Sequence, residues 1–380
     1  MRQALAAARP RLDARLARVR ERIAVDRFDG FLVTSPVNVA YLTGLRASAS
    51  AMVVTDRSAT LVTDFRYRDA ALQRLEREDA PTDLELQIVD QSYDQTIVDV
   101  IRRREIRRVA IEADSLTVRR FNWLLRTLAD AATIEPTEQV VERLRVVKDE
   151  VEIETIREAA RRLSEVAGHV WSFVAEGRAE RQIAVDIDAA LVAAGFERPA
   201  FETIVAAGPN SALPHARPTA RRLASGEPVL LDFGGVYDGY CVDLTRVGVL
   251  GRPGTALSNL HEAVGAAQDA ALAVIRPGAT ASNVDRAART ALEARGFGRD
   301  VFGHGTGHGL GLEVHEAPRI APLGSGTEGD TALEAGMVFT VEPGVYVSGL
   351  GGIRLEDDVL VTPAGAELLT RVPRELRELR

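Results

Sequence analysis

The 380-residue sequence contains a single cysteine, Cys241, so no disulfide can form within it. That suits a reducing compartment, and the run Tyr240-Cys241-Val242 reads as a small core residue in a strand, not a reactive thiol. Long apolar runs are also missing: none approaches the roughly 18 residues of a membrane span. The start, MRQALAAARPRLDARLARVRERI, lacks the apolar centre of a secretory signal. These absences predict a cytoplasmic protein with no membrane partner. There is no excess of positive charge either. The formal net charge is -8, which excludes wholesale nucleic-acid binding. No H-E-x-x-H helix, Walker loop or dinucleotide fingerprint occurs. The glycine-rich stretch 303–311 imitates a phosphate loop, but it has no lysine and too many histidines.

What is present divides the chain in two. Leu12, Leu16, Val19 and Ile23 recur at helical spacing, and Asp29-Gly30 stops that helix. Strands are predicted at 31–34, 51–55, 60–63, 86–89 and 109–111, with helices at 65–78, 95–104 and 116–131. This alternation predicts an α/β domain over residues 1–140. Ile134-Glu135-Pro136-Thr137 reads as a boundary, and one long charged helix is predicted from about 138 to 175. The remainder, 141–380, contains a diverged repeat. GRAERQIAVDIDAALVAAGF (177–196) aligns without gaps with GATASNVDRAARTALEARGF (278–297). A predicted helix precedes each copy and strand-rich sequence with histidine follows, which implies two related helix-helix-sheet halves.

Five residues of metal-binding type lie in this second part: Asp232, Asp243, His308, Glu342 and Glu356. Four carboxylates and one imidazole are a poor set for a single zinc ion, and they suit a pair of divalent cations sharing bridging carboxylates. In PVLLDFGGVYDGYCVDLTRVG, Asp238-Gly239 signals a two-residue hairpin turn. Tyr237 then faces Tyr240, Gly234 faces Asp243, and Asp232 is the diagonal neighbour of Asp243 on the same face, about 7–8 Å away at Cα. In the 303–311 stretch glycine occupies every second position, which is hostile to a helix and permits close approach of the backbone. In an extended chain His304, Thr306 and His308 share a face, and His315 needs a bend to join them. Glu342 closes the apolar strand MVFTV. GGIRLEDDVLVT reads as one further strand with Arg354, Glu356 and Asp358 on one face. A carboxylate ending an apolar strand is costly unless paired or metal-bound. An Arg354–Glu356 salt bridge is the structural alternative.

These motifs (LDFGG, DGY, VDLTR, GHGTGHGLGLEVHE, TVEPGVY and GIRLEDDV) resemble the pita-bread metallopeptidases, with prolidase and aminopeptidase P the most similar. The resemblance extends to a creatinase/prolidase-like N-terminal domain. It implies an α/β N-terminal domain plus an α+β C-terminal domain with a curved antiparallel sheet and pseudo-twofold helix pairs. It also implies two divalent metal ions, Mn²⁺, Co²⁺ or Zn²⁺. Asp243 and Glu356 would bridge them, Asp232 would complete one site, and His308 with Glu342 the other. By the same resemblance His215 would stabilise an oxyanion, His315 would contact the substrate backbone and His304 would line a proline pocket. Glu342 would assist proton transfer, Arg354 would orient Glu356 or bind substrate, and Tyr346 would support the centre from behind. Arg319 resembles the arginine offered to a dipeptide carboxylate. Arg46 would reach a site in the second copy of a homodimer.

The function implied is hydrolysis of the bond preceding proline in Xaa-Pro dipeptides. The alternative is an aminopeptidase acting on longer Xaa-Pro peptides. A creatinase-like amidinohydrolase works without metal, methionine aminopeptidases mostly lack such an N-terminal domain, and a peptide-binding module would have lost ligands. All three fit less well.

Overall fold

The computed structural model describes residues 2–324 and 329–379, with the backbone alone for 2–10. The chain forms two compact units, Met1–Arg145 and Val146–Arg380.

The first unit is an α/β domain. In chain order it comprises α1 (Arg2–Val25), β1 (Gly30–Val33), α2 (Pro36–Thr43), β2 (Ser50–Thr55), β3 (Ala59–Thr63), α3 (Arg68–Leu75), β4 (Leu84–Ile88), α4 (Tyr93–Arg103), β5 (Arg108–Glu112), α5 (Val118–Thr127), β6 (Thr133–Thr137) and the short α6 (Glu142–Val146). The sheet order is β4-β3-β2-β1-β5-β6, with antiparallel β1–β2 and β2–β3 pairs and parallel pairs elsewhere. Two readings of the sequence change. Residues 134–137, expected as a boundary, form the edge strand β6, where Pro136 is tolerated because an edge leaves ladder positions unpaired. The helix α2 was not anticipated; Ser35 caps it, Pro36 opens it and Gly44 ends it at φ 71°. Arg46 follows α2 and is exposed.

The long helix expected over 138–175 is interrupted. Asp149 caps a new helix, α7 (Glu150–Val170), through a capping box with Glu152, an arrangement worth about 1 kcal/mol. There follow α8 (Glu180–Ala193), β7 (Arg198–Pro199), β8 (Ile204–Ala207), β9 (Pro228–Tyr237), β10 (Tyr240–Leu250), α9 (Thr255–Val274) and α10 (Ala281–Glu293). The last strands are β11 (Gly307–Gly309), β12 (Glu316–Ile320), β13 (Val338–Val341), β14 (Gly344–Val347), β15 (Gly351–Arg354), β16 (Asp357–Thr362), β17 (Gly365–Leu368) and β18 (Arg377–Leu379). One sheet runs β18-β10-β9-β7 with β8 also on β9, another runs β12-β11-β13-β16-β17, and β14-β15 form a ribbon. All these pairs are antiparallel except β10–β18.

The repeat is real in three dimensions. The aligned segments become α8 and α10. Gly177 and Gly278 both have positive φ and donate their N–H groups to Leu223 and Leu333 carbonyls, each at 2.8 Å. Apolar side chains of α7 and α8 pack on β9 and β10 in one core cluster. Those of α9 and α10 pack with β13 and β16 in another. Each helix pair thus backs one half, one behind β9 and β10 and the other behind β13 and β16. No helix among the described residues is long and apolar enough to cross a membrane.

Candidate metal centre

The β9–β10 hairpin has the expected register: Tyr237 pairs Tyr240 and Gly234 pairs Asp243, with Asp238 at φ 44° and Gly239 at φ 83° in the turn. Asp232 lies opposite Thr245. A Cβ on Gly234 would stand 2.1 Å from the Val242 carbonyl oxygen, so only glycine lets the two strands close beside Asp243. Strand β11 brings in His308, and its ladder with β12 shifts register between His308 and Gly309. Bends at 311–315 then return His315 to within 4.3 Å of His308, ring centroid to centroid. Glu342 follows β13, its N–H donated to the Thr306 carbonyl at 2.7 Å.

GGIRLEDDVLVT is not one strand. β15 ends at Arg354, β16 begins at Asp357, and Glu356 sits on the link between them. Two neighbours fix that link. Thr245 Oγ1 donates to Glu356 Oε2 at 2.5 Å, and Arg246 Nη1 donates to the Glu356 carbonyl at 2.6 Å while Nη2 pairs with Asp357 at 2.7 Å.

One donor atom each from Asp243, His308 and Glu356 lie within 4.8 Å of one another. His308 Nε2 is 3.6 Å from Glu342 Oε1 and 3.9 Å from Asp243 Oδ2. Asp232 is not one of the three residues whose donor atoms converge. Its Oδ2 pairs with Arg354 Nη2, and its buried Oδ1 has no hydrogen-bond partner among the described residues. Arg354, expected to orient Glu356 or bind substrate, pairs with Asp232; it also donates to Tyr346 Oη at 2.7 Å and reaches Thr245 Oγ1 at 3.2 Å.

The electrostatics are those of a carboxylate nest short of positive charge. Burial, then Glu356 and Asp232, pushes Asp243 far above the carboxylate range. Burial and Glu342 do the same to Glu356, and burial pushes Glu342 up to about 7. His308 is pushed down to about 4 by burial and His315, so its imidazole is neutral and can ligate. Unpaired buried oxygens, mutually repelling carboxylates and a neutral imidazole form a donor set that divalent cations fit.

The remaining expected residues surround this nest. His304 Nε2 lies 2.9 Å from Tyr346 Oη, which gives the chain His304–Tyr346–Arg354–Asp232. Burial and Arg354 push His304 down to about 4. His215 is exposed on the turn at 213–215. Arg319 is exposed on β12 opposite His308. Arg46 lies in the first unit.

Residues 154–363 match metallopeptidase family M24, and residues 15–147 match the creatinase/prolidase N-terminal domain. The chain belongs to metallopeptidase family M24. It is 33% identical to a Xaa-Pro dipeptidase of Pyrococcus furiosus over 92% of this chain and 95% of that protein. Its fold superposes on a Xaa-Pro dipeptidase from Bacillus anthracis with TM-score 0.91 at 32% identity, covering 97% and 100% of the two chains. An X-Pro aminopeptidase from Thermotoga maritima gives TM-score 0.83 at 32% identity over 93% and 98%.

Sequence placed Asp358 on the face of Glu356 without giving it a role, and it did not single out Thr245, Asp285 or Arg289. Asp358 accepts the Asp243 N–H at 3.0 Å, and its other oxygen is buried without a partner among the described residues. Thr245 holds Glu356. It lies two positions after Asp243, so strand periodicity places it on the same face. Asp285 and Arg289 of α10 grip the loop before β11. Asp285 Oδ1 accepts from Thr306 Oγ1 at 2.8 Å, and Arg289 donates to the Phe302 carbonyl at 2.9 Å and the His304 carbonyl at 2.5 Å. Their i,i+4 spacing was legible, but their target was not.

Proposed function

We propose that this M24 metallopeptidase hydrolyses the peptide bond preceding proline in Xaa-Pro dipeptides, with two divalent cations held by Asp232, Asp243, His308, Glu342 and Glu356. The observation that carries this reading is the convergence of Asp243, His308 and Glu356 donor atoms within 4.8 Å, with Glu342 beside them. Cations bound there supply Lewis acidity that polarises a carbonyl and acidifies water. The chain's own groups do the rest. Glu342, whose Oε1 lies 3.6 Å from His308 Nε2, can take a proton from attacking water and return it to the departing proline nitrogen. His215, on its exposed turn, can donate to the developing oxyanion. His315, packed on His308, faces the substrate backbone. His304 and Tyr346 line the proline side, and Arg354 holds Asp232 and Tyr346 in register.

Exposed Arg319, opposite His308, offers a bidentate partner for a dipeptide carboxylate. The single buried cysteine supports residence in the cytoplasm, and the carboxylate-rich ligand set suits Mn²⁺, Co²⁺ or Zn²⁺. A homodimer is proposed from the family resemblance. The deciding assay compares Ala-Pro with Ala-Pro-Ala, with metal analysis of the same sample. Cleavage of the dipeptide alone by protein carrying two ions is expected. Comparable rates on both would make the chain an aminopeptidase, and turnover by metal-stripped protein would end the reading.

A further inference from the structure

Of the 47 lysine and arginine residues, one is a lysine: Lys148. Lysine is ordinarily a surface residue, yet this side chain is 1% exposed. Its Nζ donates to Glu316 Oε1 at 2.9 Å and to the Val146 carbonyl at 3.3 Å. Arginine serves every other basic position of this chain, so retention of an ammonium here points to a slot that a guanidinium does not fit.

Glu316 is the first residue of β12. Its backbone pairs with Gly309, immediately beside His308 and at the register shift of the β11–β12 ladder. Its carboxylate lies against the backbone of Gly311, where a Cβ would stand 2.3 Å from Oε1. The Gly311 carbonyl in turn accepts the Cys241 N–H of β10 at 2.7 Å. The turn 311–315, which swings His315 back onto His308, is therefore held at Gly311 by Cys241 and bounded at its other end by Glu316, which Lys148 holds. On its own side, Lys148 is tied to the residues leading into β13, because its N–H donates to the Gly336 carbonyl at 2.9 Å and Val147 bridges Met337.

We infer that Lys148 is a positioning residue: its buried ion pair with Glu316 sets the turn that aims His315 and the strand that carries Arg319. The inference rests on the proposed function for its kinetic consequence and on geometry alone for its structural one. A single carboxylate–ammonium contact in an apolar setting fixes one distance, which a merely neutralising partner does not.

The test uses full-length Mn²⁺-loaded protein, with metal-free protein for spectra. The variants are Lys148→Met, Lys148→Arg and the double variant Lys148→Met/Glu316→Gln. Lys148→Met is expected to lower kcat/KM for Ala-Pro at least tenfold with Mn²⁺ stoichiometry unchanged. In protein labelled at histidine Cε1 it should shift the His315 resonance and leave those of His169 and His261 in place. Lys148→Arg should not restore either readout, although it restores the charge. If Lys148→Met does not fold, the double variant, which also removes the negative charge of the Glu316 carboxylate, carries the same expectation. An unmoved His315 resonance overturns the inference, and so does full rescue by arginine. Should the resonance move while the wild type cleaves no Xaa-Pro peptide, the positioning role stands and the proposed substrate falls.

Discussion

Asp243 shares its surroundings with every other acid of the nest. Its carboxylate lies near donor atoms of His308 and Glu356, and its backbone N–H is held by Asp358. With no cation the cost of ionising it is high, because burial and the charges of Glu356 and Asp232 act in the same direction. Asp243→Ala therefore has two opposite effects. It removes a proposed bridging ligand, so hydrolysis of Ala-Pro is expected to fall to background. It also removes a repelling buried carboxylate, so the metal-free variant is expected to melt no lower than metal-free wild type despite the small cavity. Activity assays and circular-dichroism melts in EDTA check both parts. Undiminished turnover would refute the bridging role, and a collapse of the melting temperature would mean that Asp243 holds the fold rather than the ions.

At the scale of elements, α10 matters to the centre through two residues one turn apart. Arg289 pairs with Asp285 at 2.7 Å, stacks over Phe302 at 4.3 Å and donates to the carbonyls of Phe302 and His304. If α10 acts through His304, Arg289→Gln should raise KM for Ala-Pro about tenfold, a loss of about 1.4 kcal/mol in binding. In a His304→Ala background the same substitution should add little. A double-mutant cycle measures this coupling, and additive effects would sever the helix from the pocket. The same elements show what was legible in the sequence. The Asp238-Gly239 turn fixed the β9–β10 register from local chemistry, and the 101-residue offset revealed α8 and α10 because both copies keep their terminal glycines. The failures were tertiary. Alternation carried GGIRLEDDVLVT through as one strand, whereas Arg246 and Thr245 from a neighbouring strand pull Glu356 onto a link. Asp149 stopped a helix whose apolar spacing ran past it, since a cap outweighs a weak periodicity. Thr133–Thr137 pairs at a sheet edge that no local signal announces.

At the scale of the whole molecule, the nest couples protons, cations and stability. Glu342 sits at about 7 in the folded, metal-free chain, and Asp243 and Glu356 are raised as well, all by burial first. A carboxylate whose folded value lies above its unfolded value of about 4.3 binds more protons when folded. Metal-free stability is then fully present below the unfolded value and is lost as pH rises toward the folded one. For Glu342 this window runs from roughly pH 4 to 7, and the change is on the order of 3 kcal/mol. His308, pushed down to about 4, acts the other way over this range, because its folded imidazole is neutral where the unfolded one is protonated; it is neutral with or without cations and drops out of the comparison between them. Cations that displace these protons cancel the loss, so Mn²⁺ binding should release protons, and more of them at pH 6 than at pH 8. The melting temperature of the second unit in Mn²⁺ should accordingly pull away from that in EDTA as pH rises from 5 to 7, by roughly 5–10 °C. Glu112, raised by burial in the first unit, depresses stability with pH in both conditions and drops out of the difference. Calorimetry in buffers of different ionisation enthalpy counts the protons, and paired melts at each pH give the gap. A gap that narrows over this range would show that the acids are already ionised without cations, and that the nest is not held in readiness for them.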